Sequence, residues 1–276
     1  MKTIFTIRNI SFYQQIAILL VCLWALIGNL VVASEKKGVG LADLNVNDRL
    51  TTLNVAWYYT WEPQPIKGAS AHKFVPMFWG GEHQRMENQM LVLLTQKKVP
   101  ILLAINEPDR VKQANMSVEE TIHLWPKISA MADQISTPAT AEVLGGWFDR
   151  FYRMAIKLKL KMDFMAIHLY GPPDAEKFLK KVDAVYEKYG MPIWITEFAV
   201  ADWKARNQPG RNRYSEETVL AFMKIVLPEL EKRPYVIRYA WFSAGLKNES
   251  LRTSRLFDKY GKLTRLGKFY ADFTWK

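Results

Sequence analysis

From about residue 38 onward, short apolar runs alternate with longer stretches in which apolar residues recur every three or four positions. The runs predict eight strands: GVGLAD (38 to 43), LNVAWYY (53 to 59), FVPMFW (74 to 79), VPILLAIN (99 to 106), QISTPA (134 to 139), DFMAIHLY (163 to 170), PIWITEF (192 to 198) and VIRYAWF (236 to 242). Several intervening stretches have helical spacing. Met86, Met90, Leu93 and Leu94 share one face, as do Trp147, Phe151, Ala155 and Leu158, and Phe178, Val182, Val185 and Tyr189. Ser117 followed by Glu120 has the capping-box pattern that starts a helix. The first three strands leave little room between them, so helices there must be short or missing. Strands that are apolar on both sides and separated by helices imply a parallel sheet covered by helices. Eight of them within residues 34–276 suit a closed ring better than an open sheet, and no glycine-rich phosphate loop follows a strand. The expected fold is therefore α/β: a single TIM-like (β/α)8 barrel with some short or missing helices, without a linker or internal repeat.

Residues 1–33 stand apart from this pattern. Lys2 and Arg8 precede an apolar core, residues 16–30, and Val31-Val32-Ala33 offers small residues before Ser34, the layout of a cleaved secretory signal. An uncleaved anchor is the alternative, because residues 16–33 could just span a bilayer. The expected product is secreted or periplasmic, or membrane-anchored if the signal stays. Cys22 is the single cysteine and lies in this segment, so the remainder has neither disulfide nor thiol chemistry. The formal charge of +11 would fall by two on cleavage. Scattered basic residues such as KLKLK (157 to 161) fit solubility better than an anionic polymer partner.

The chemistry begins with ILLAINEPDR (101 to 110), an apolar strand that ends on a carboxylate. A buried, ionised carboxylate is costly unless it reaches a rim or a tuned site. The functional face of such a barrel is where the strands end, and Glu107 follows the fourth strand. Glu197, in MPIWITEFAV (191 to 200), ends the seventh, and simple alternation points Ile193, Ile195 and Glu197 the same way. One strand-end glutamate is commonly a helix cap or an ion-pair partner. Two of them over one mouth suit glycosidic cleavage, which needs a protonated acid for a poor leaving group and a second, ionised carboxylate.

The contexts NEP and TEF around these glutamates resemble the glycoside hydrolases of clan A, retaining (β/α)8 enzymes. The wider set AWYYTW (56 to 61), FVPMFWGG (74 to 81), AINEPD (104 to 109), MDFMAIHLYG (162 to 171) and ITEFA (195 to 199) resembles glycoside hydrolase family 128, whose members are endo-β-1,3-glucanases. The likeness runs from about Gly38 to the end, including LTRLGKFYADF (263 to 273). Thr60 departs from the family's WYYNW form, which has asparagine there. The resemblance implies Glu107 as general acid/base, Glu197 as nucleophile and Asn106 as donor to the sugar 2-hydroxyl. It also implies carboxylate oxygens about 5 Å apart. Apart from the resemblance, Asn106 reads equally as a turn residue.

Ten tryptophans are many, and flat aromatic faces stack on pyranose rings. Most aromatics are core, such as Trp147, Phe151 and Trp125. Those at strand ends, Trp57, Tyr58, Trp61, Trp79, Tyr170 and Trp241, are the candidates for the cleft. His168 ends the sixth strand and is expected to orient the nucleophile or the sugar, with a satisfied core histidine as the alternative; His123 reads as structural. No histidine pair has the HExxH spacing and no cysteine is available, which argues against zinc. Asn115 and Asn248 match the glycosylation acceptor pattern, a frequent chance match. The expectation is a monomeric, retaining endo-β-1,3-glucanase acting on laminarin- or curdlan-type β-glucan without metal or organic cofactor, nucleic acid or, once cleaved, membrane. Two alternatives stay open: a glycanase for another β-linkage, and a β-glucan-binding barrel without activity.

Overall fold

The computed structural model of the protein describes residues 34–41, 46–70, 73–96 and 98–275, so the expected export segment with Cys22, and also His72, lie outside the described residues. Eight strands form: β1 Lys37–Leu41, β2 Trp57–Tyr59, β3 Met77–Phe78, β4 Val99–Asn106, β5 Ala132–Ala139, β6 Met165–Gly171, β7 Ile193–Val200 and β8 Val236–Ser243. They pair in parallel as two arcs, β2-β1-β8-β7-β6 and β3-β4-β5. Single bridges between Tyr58 and Phe74 and between Ser136 and Phe164 join the arcs at both seams, so the barrel closes with its strands in chain order. Val75 N donates to Tyr58 O at 2.9 Å, and Thr137 N to Phe164 O at 2.8 Å.

Around this ring lie α1 Val46–Leu53, α2 His83–Thr95, α3 Val118–Ser129, α4 Gly146–Lys157, α5 Ala175–Tyr189, α6 Glu216–Lys232 and α7 Arg265–Asp272. The first is short, and no helix joins β2 to β3 among the described residues, as the spacing requires. The second expected strand contracts to three residues because Leu53 ends α1. At the start of α3 both halves of the capping box are made: Ser117 Oγ accepts from Glu120 N, and Glu120 Oε2 accepts from Ser117 N. Val182, Val185 and Tyr189 of α5 are buried as their spacing predicts, and Gly190, at φ 67°, ends that helix in the left-handed conformation. Leu94 and Leu158 instead face solvent, since each lies beyond the stripe that meets the sheet. No described helix is long and apolar enough to cross a membrane.

Two cores result. The larger packs helices onto the outer faces of the strands. The smaller fills the barrel with side chains that include Trp57, Tyr59, Met77, Leu103, Phe164 and Trp194. Gly38 is required by this filling, because a Cβ there would lie 2.2 Å from Trp57 Cε2. Lys37 points the other way, fully buried, and donates to the carbonyls of Tyr270 at 2.8 Å, Ala271 at 3.2 Å and Phe273 at 2.7 Å. It thereby ties the first strand to carbonyls at the end of α7 that lack a following helical turn to bond them.

Candidate active site

Backbone irregularities deliver the chemistry to the mouth of the barrel. Along β4, Leu102 and Ala104 face the helices and Leu103 the interior. Strict alternation would turn Ile105 inward and Asn106 out. Instead the β4–β5 register shifts between Ala104 and Asn106, and Ile105 takes the left-handed conformation at φ 50°. Ile105 then joins Ala104 on the outer side, while Asn106 and Glu107 both line the cleft. Glu107 is itself left-handed, at φ 42°. A β-branched residue in that region costs on the order of 1–3 kcal/mol and persists only where neighbours enforce it. Here Asn106 N donates to Trp79 O at 2.9 Å and Glu107 N to Ala139 O at 2.7 Å.

The same device acts on β7. Ile167 pairs with Ile195 and His168 with Glu197, so Thr196 is an extra residue, a bulge. Simple alternation therefore fails: Ile193 and Ile195 pack against the helices, while Glu197 points into the cleft.

Glu197 is buried among donors. Its Oε1 accepts from Trp61 Nε1 at 2.7 Å and Tyr59 OH at 3.2 Å, and its Oε2 from Tyr170 OH at 2.6 Å. His168 lies between the two glutamates, with Nδ1 3.0 Å from Glu107 Oε1 and Nε2 3.5 Å from Glu197 Oε1, the latter without hydrogen-bond geometry. One ring nitrogen and one oxygen of each carboxylate lie within 4.8 Å of one another. These three donors form the one group among the described residues close enough together to hold a metal ion.

The charges follow from the packing. Burial pushes the Glu107 carboxyl up, but the hydrogen bond and charge of His168, helped by Arg110, outweigh it and hold the group below the usual range. Burial pushes His168 down, and the charge of Glu197 with the hydrogen bond and charge of Glu107 overcome it, so the imidazole is raised. Burial first, and then the Glu197 charge, drive the hydroxyls of Tyr59 and Tyr170 well above the ordinary tyrosine value, so both remain donors. The imidazole and the Glu107 carboxylate therefore favour each other's charged forms.

Glu107, Glu197, Asn106, His168, Trp61, Trp79 and Tyr170 share one cleft of about 980 Å³. Asn106 Nδ2 donates to Gln113 Oε1 at 3.2 Å, while its Oδ1 is buried without a partner. The guanidinium of Arg85 lies 3.7 Å from the ring centroid of Trp79. Thr60 is buried beside Trp61, its hydroxyl unpartnered.

Three of the residues expected in the cleft are core. Trp57 starts β2 at the N-terminal end of the strand, covers Gly38 and donates from Nε1 to Lys36 O at 3.0 Å. Tyr58 turns outward against Phe74 and donates to Ser70 O at 3.0 Å. Trp241 also turns outward, packs on Phe198 and donates to Ser254 O at 2.8 Å. Their neighbours take the inner places: Tyr59 reaches Glu197, and Phe242 lines the cleft against Trp61 and Tyr170. Alternation was the available signal for both. Trp203, on the loop after β7, lines the cleft without any signal from periodicity.

A family model described as the glycosyl hydrolase catalytic core matches residues 38–270. An endo-β-1,3-glucanase of glycoside hydrolase family 128, subgroup I, from Amycolatopsis mediterranei, solved with laminaritriose, is 32% identical. It superposes with a TM-score of 0.71, covering 86% of this chain and 99% of its own. A curdlan-specific exo-β-1,3-glucanase of subgroup III from Blastomyces gilchristii, solved with glucose, is 29% identical, with a TM-score of 0.66 over 87% of this chain and 99% of its own. Among curated proteins, alkali-sensitive linkage protein 1 of Schizosaccharomyces pombe is 26% identical over 253 residues, which is 86% of this chain. The chain spans 44% of that relative's length.

Proposed function

The chain belongs to glycoside hydrolase family 128, a family of β-1,3-glucan hydrolases, and on that premise we propose that it is a retaining endo-β-1,3-glucanase in which Glu107 is the acid/base and Glu197 the nucleophile. The observation that carries the mechanism is the carboxylate spacing. Oxygens of Glu107 and Glu197 lie within 4.8 Å of each other, close to the roughly 5–5.5 Å of double displacement and well short of the roughly 6.5–9.5 Å that an inverting enzyme needs for its water. Glu197, held by Trp61, Tyr59 and Tyr170, attacks the anomeric carbon while Glu107 protonates the departing oxygen. His168 Nδ1, 3.0 Å from Glu107 Oε1, is placed to share the proton for that step with Glu107. Asn106 would donate to the 2-hydroxyl, with Gln113 holding its amide. Glu107 then takes a proton from the water that releases the glycosyl-enzyme.

Trp61, Trp79 and Tyr170 supply ring faces and edges for the glucosyl units. Support for internal cleavage comes from the endo-acting subgroup I relative, at 32% identity against 29% for the exo-acting subgroup III relative. Export rests on residues 1–33 alone, and a monomer acting on β-glucan without nucleic acid or membrane partner completes the proposal. The test is digestion of laminarihexaose followed by proton NMR of the first products. Retained β-anomers and mid-chain fragments are expected; α-anomers would overturn the mechanism, and glucose alone would overturn the endo assignment. Glu107→Gln and Glu197→Gln, folded by circular dichroism, should each lose at least about a hundredfold in kcat. Near-normal hydrolysis by either variant would remove that residue from its role.

A further inference from the structure

Trp203 is a cleft residue on a segment that is otherwise mostly exposed. It is 48% accessible, sits on a three-residue helical turn, Trp203–Ala205, and meets Tyr170 edge-on at 5.7 Å. Tyr170 in turn donates to Glu197 Oε2, so the indole lies one ring away from the reacting carboxylate. Arg206 places its guanidinium 5.4 Å from the indole centroid.

A loop of this kind would ordinarily leave a large aromatic side chain to search many positions. Here its two ends are locked together. Asp202, whose side chain is fully buried, accepts from Arg213 N at 2.9 Å, Nε at 3.0 Å and Nη2 at 2.7 Å, and from Lys204 N at 3.2 Å. The clasp is also tied to the turn Glu249–Ser254 after β8. Asp202 N donates to Ser250 O at 2.8 Å, and Asn212 Nδ2 to Glu249 O at 3.1 Å and Ser250 O at 3.2 Å. That turn and its cap contribute Leu251 and Asn248 to the same cleft. Neither Asp202 nor Arg213 lines the cleft, so a paired, desolvated carboxylate is spent on geometry alone.

We propose that Asp202 and Arg213 are positioning residues that hold Trp203 as the stacking platform of a glucosyl subsite beside the nucleophile. The proposal rests on the glucanase reading and names a specificity-determining part of that site. The ligand class is a glucopyranosyl unit presenting its apolar C–H face, recognised by the indole and bordered by the Arg206 guanidinium. Preorganisation of the platform would appear in substrate binding rather than in bond cleavage.

The experiment is steady-state kinetics of the full chain on laminaritriose, laminaritetraose and laminarihexaose, for wild type, Trp203→Ala, Asp202→Asn, Arg213→Gln and the double variant Trp203→Ala with Asp202→Asn. KM for laminarihexaose should rise about five- to tenfold in each single variant, the loss of one aromatic contact. In Asp202→Asn and Arg213→Gln kcat should stay within about twofold. The double variant should be no worse than Trp203→Ala, because Asp202 acts through the indole. Arg213 is half exposed, so Arg213→Gln tests the clasp even if Asp202→Asn fails to fold. Additive losses, or a fall in kcat at unchanged KM, overturn the clasp, as do variants indistinguishable from a wild type that cleaves these sugars. A wild type that cleaves none of them overturns the glucanase reading, and the clasp with it.

Discussion

Replacing His168 by glutamine removes a titratable proton from between the two glutamates and leaves a neutral donor of similar reach. The wild-type imidazole is raised above 6.5 despite burial, and Glu107 is held below 4.5 by the same contact. Interacting groups this close lose their protons as a pair. On the proposed mechanism the wild-type pair shares the proton needed for leaving-group departure, and the raised imidazole extends its retention toward higher pH. In His168→Gln it must sit on Glu107 alone, which lacks the imidazole's intrinsic basicity. The alkaline limb of the pH profile of kcat/KM should move to lower pH. A charge-assisted hydrogen bond is worth about 1.5–3 kcal/mol, so kcat/KM near neutral pH should fall about ten- to a hundredfold.

Stability gives a second reading with its own sign. The raised His168 stabilises the fold fully below 6.5, and that contribution is lost as pH rises through its folded value. The lowered Glu107 stabilises above 4.5, and that contribution is lost on acidification through its folded value. The wild type should thus exceed His168→Gln most in urea unfolding between pH 4.5 and 6.5. An alkaline limb that stays in place or moves up would refute the shared-proton reasoning, whatever the loss in rate.

Tyr170→Phe removes the 2.6 Å donor to Glu197 Oε2 and leaves the ring; kcat/KM should drop about tenfold or more with little change in Tm, and an unaltered rate would exclude the contact from the reaction. Gly38→Ala drives a Cβ to 2.2 Å from the Trp57 indole, which is pinned by Trp194 and by its hydrogen bond to Lys36. Overpacking of this kind costs about 1–3 kcal/mol or more, read as a lower urea midpoint at unchanged slope; an unchanged midpoint would mean that the barrel filling yields.

Eight apolar runs, the helical stripes between them and the Ser117–Glu120 cap are local patterns, and each was legible because its period or spacing is set by the backbone alone. Glu107, just after β4, and Glu197, in the C-terminal half of β7, were legible for a related reason: in a parallel barrel, the C-terminal ends of the strands make the rim. The direction of each side chain was another matter. A left-handed Ile105 and an inserted Thr196 reset the alternation that would otherwise have decided which residues face the cleft, and neither residue type announces such a bulge. Trp57, Tyr58 and Trp241 lie in the core because the glycines of β1 and the helix layer make room for them, while Tyr59, Phe242 and Trp203 face the cleft. The chain by itself determined which elements form and which carboxylates lie toward the C-terminal ends of the strands. Tertiary structure decided which atoms meet, because contacts between Glu107 and His168, or Asp202 and Ser250, join residues far apart in sequence and depend on how the closed ring aligns its strands.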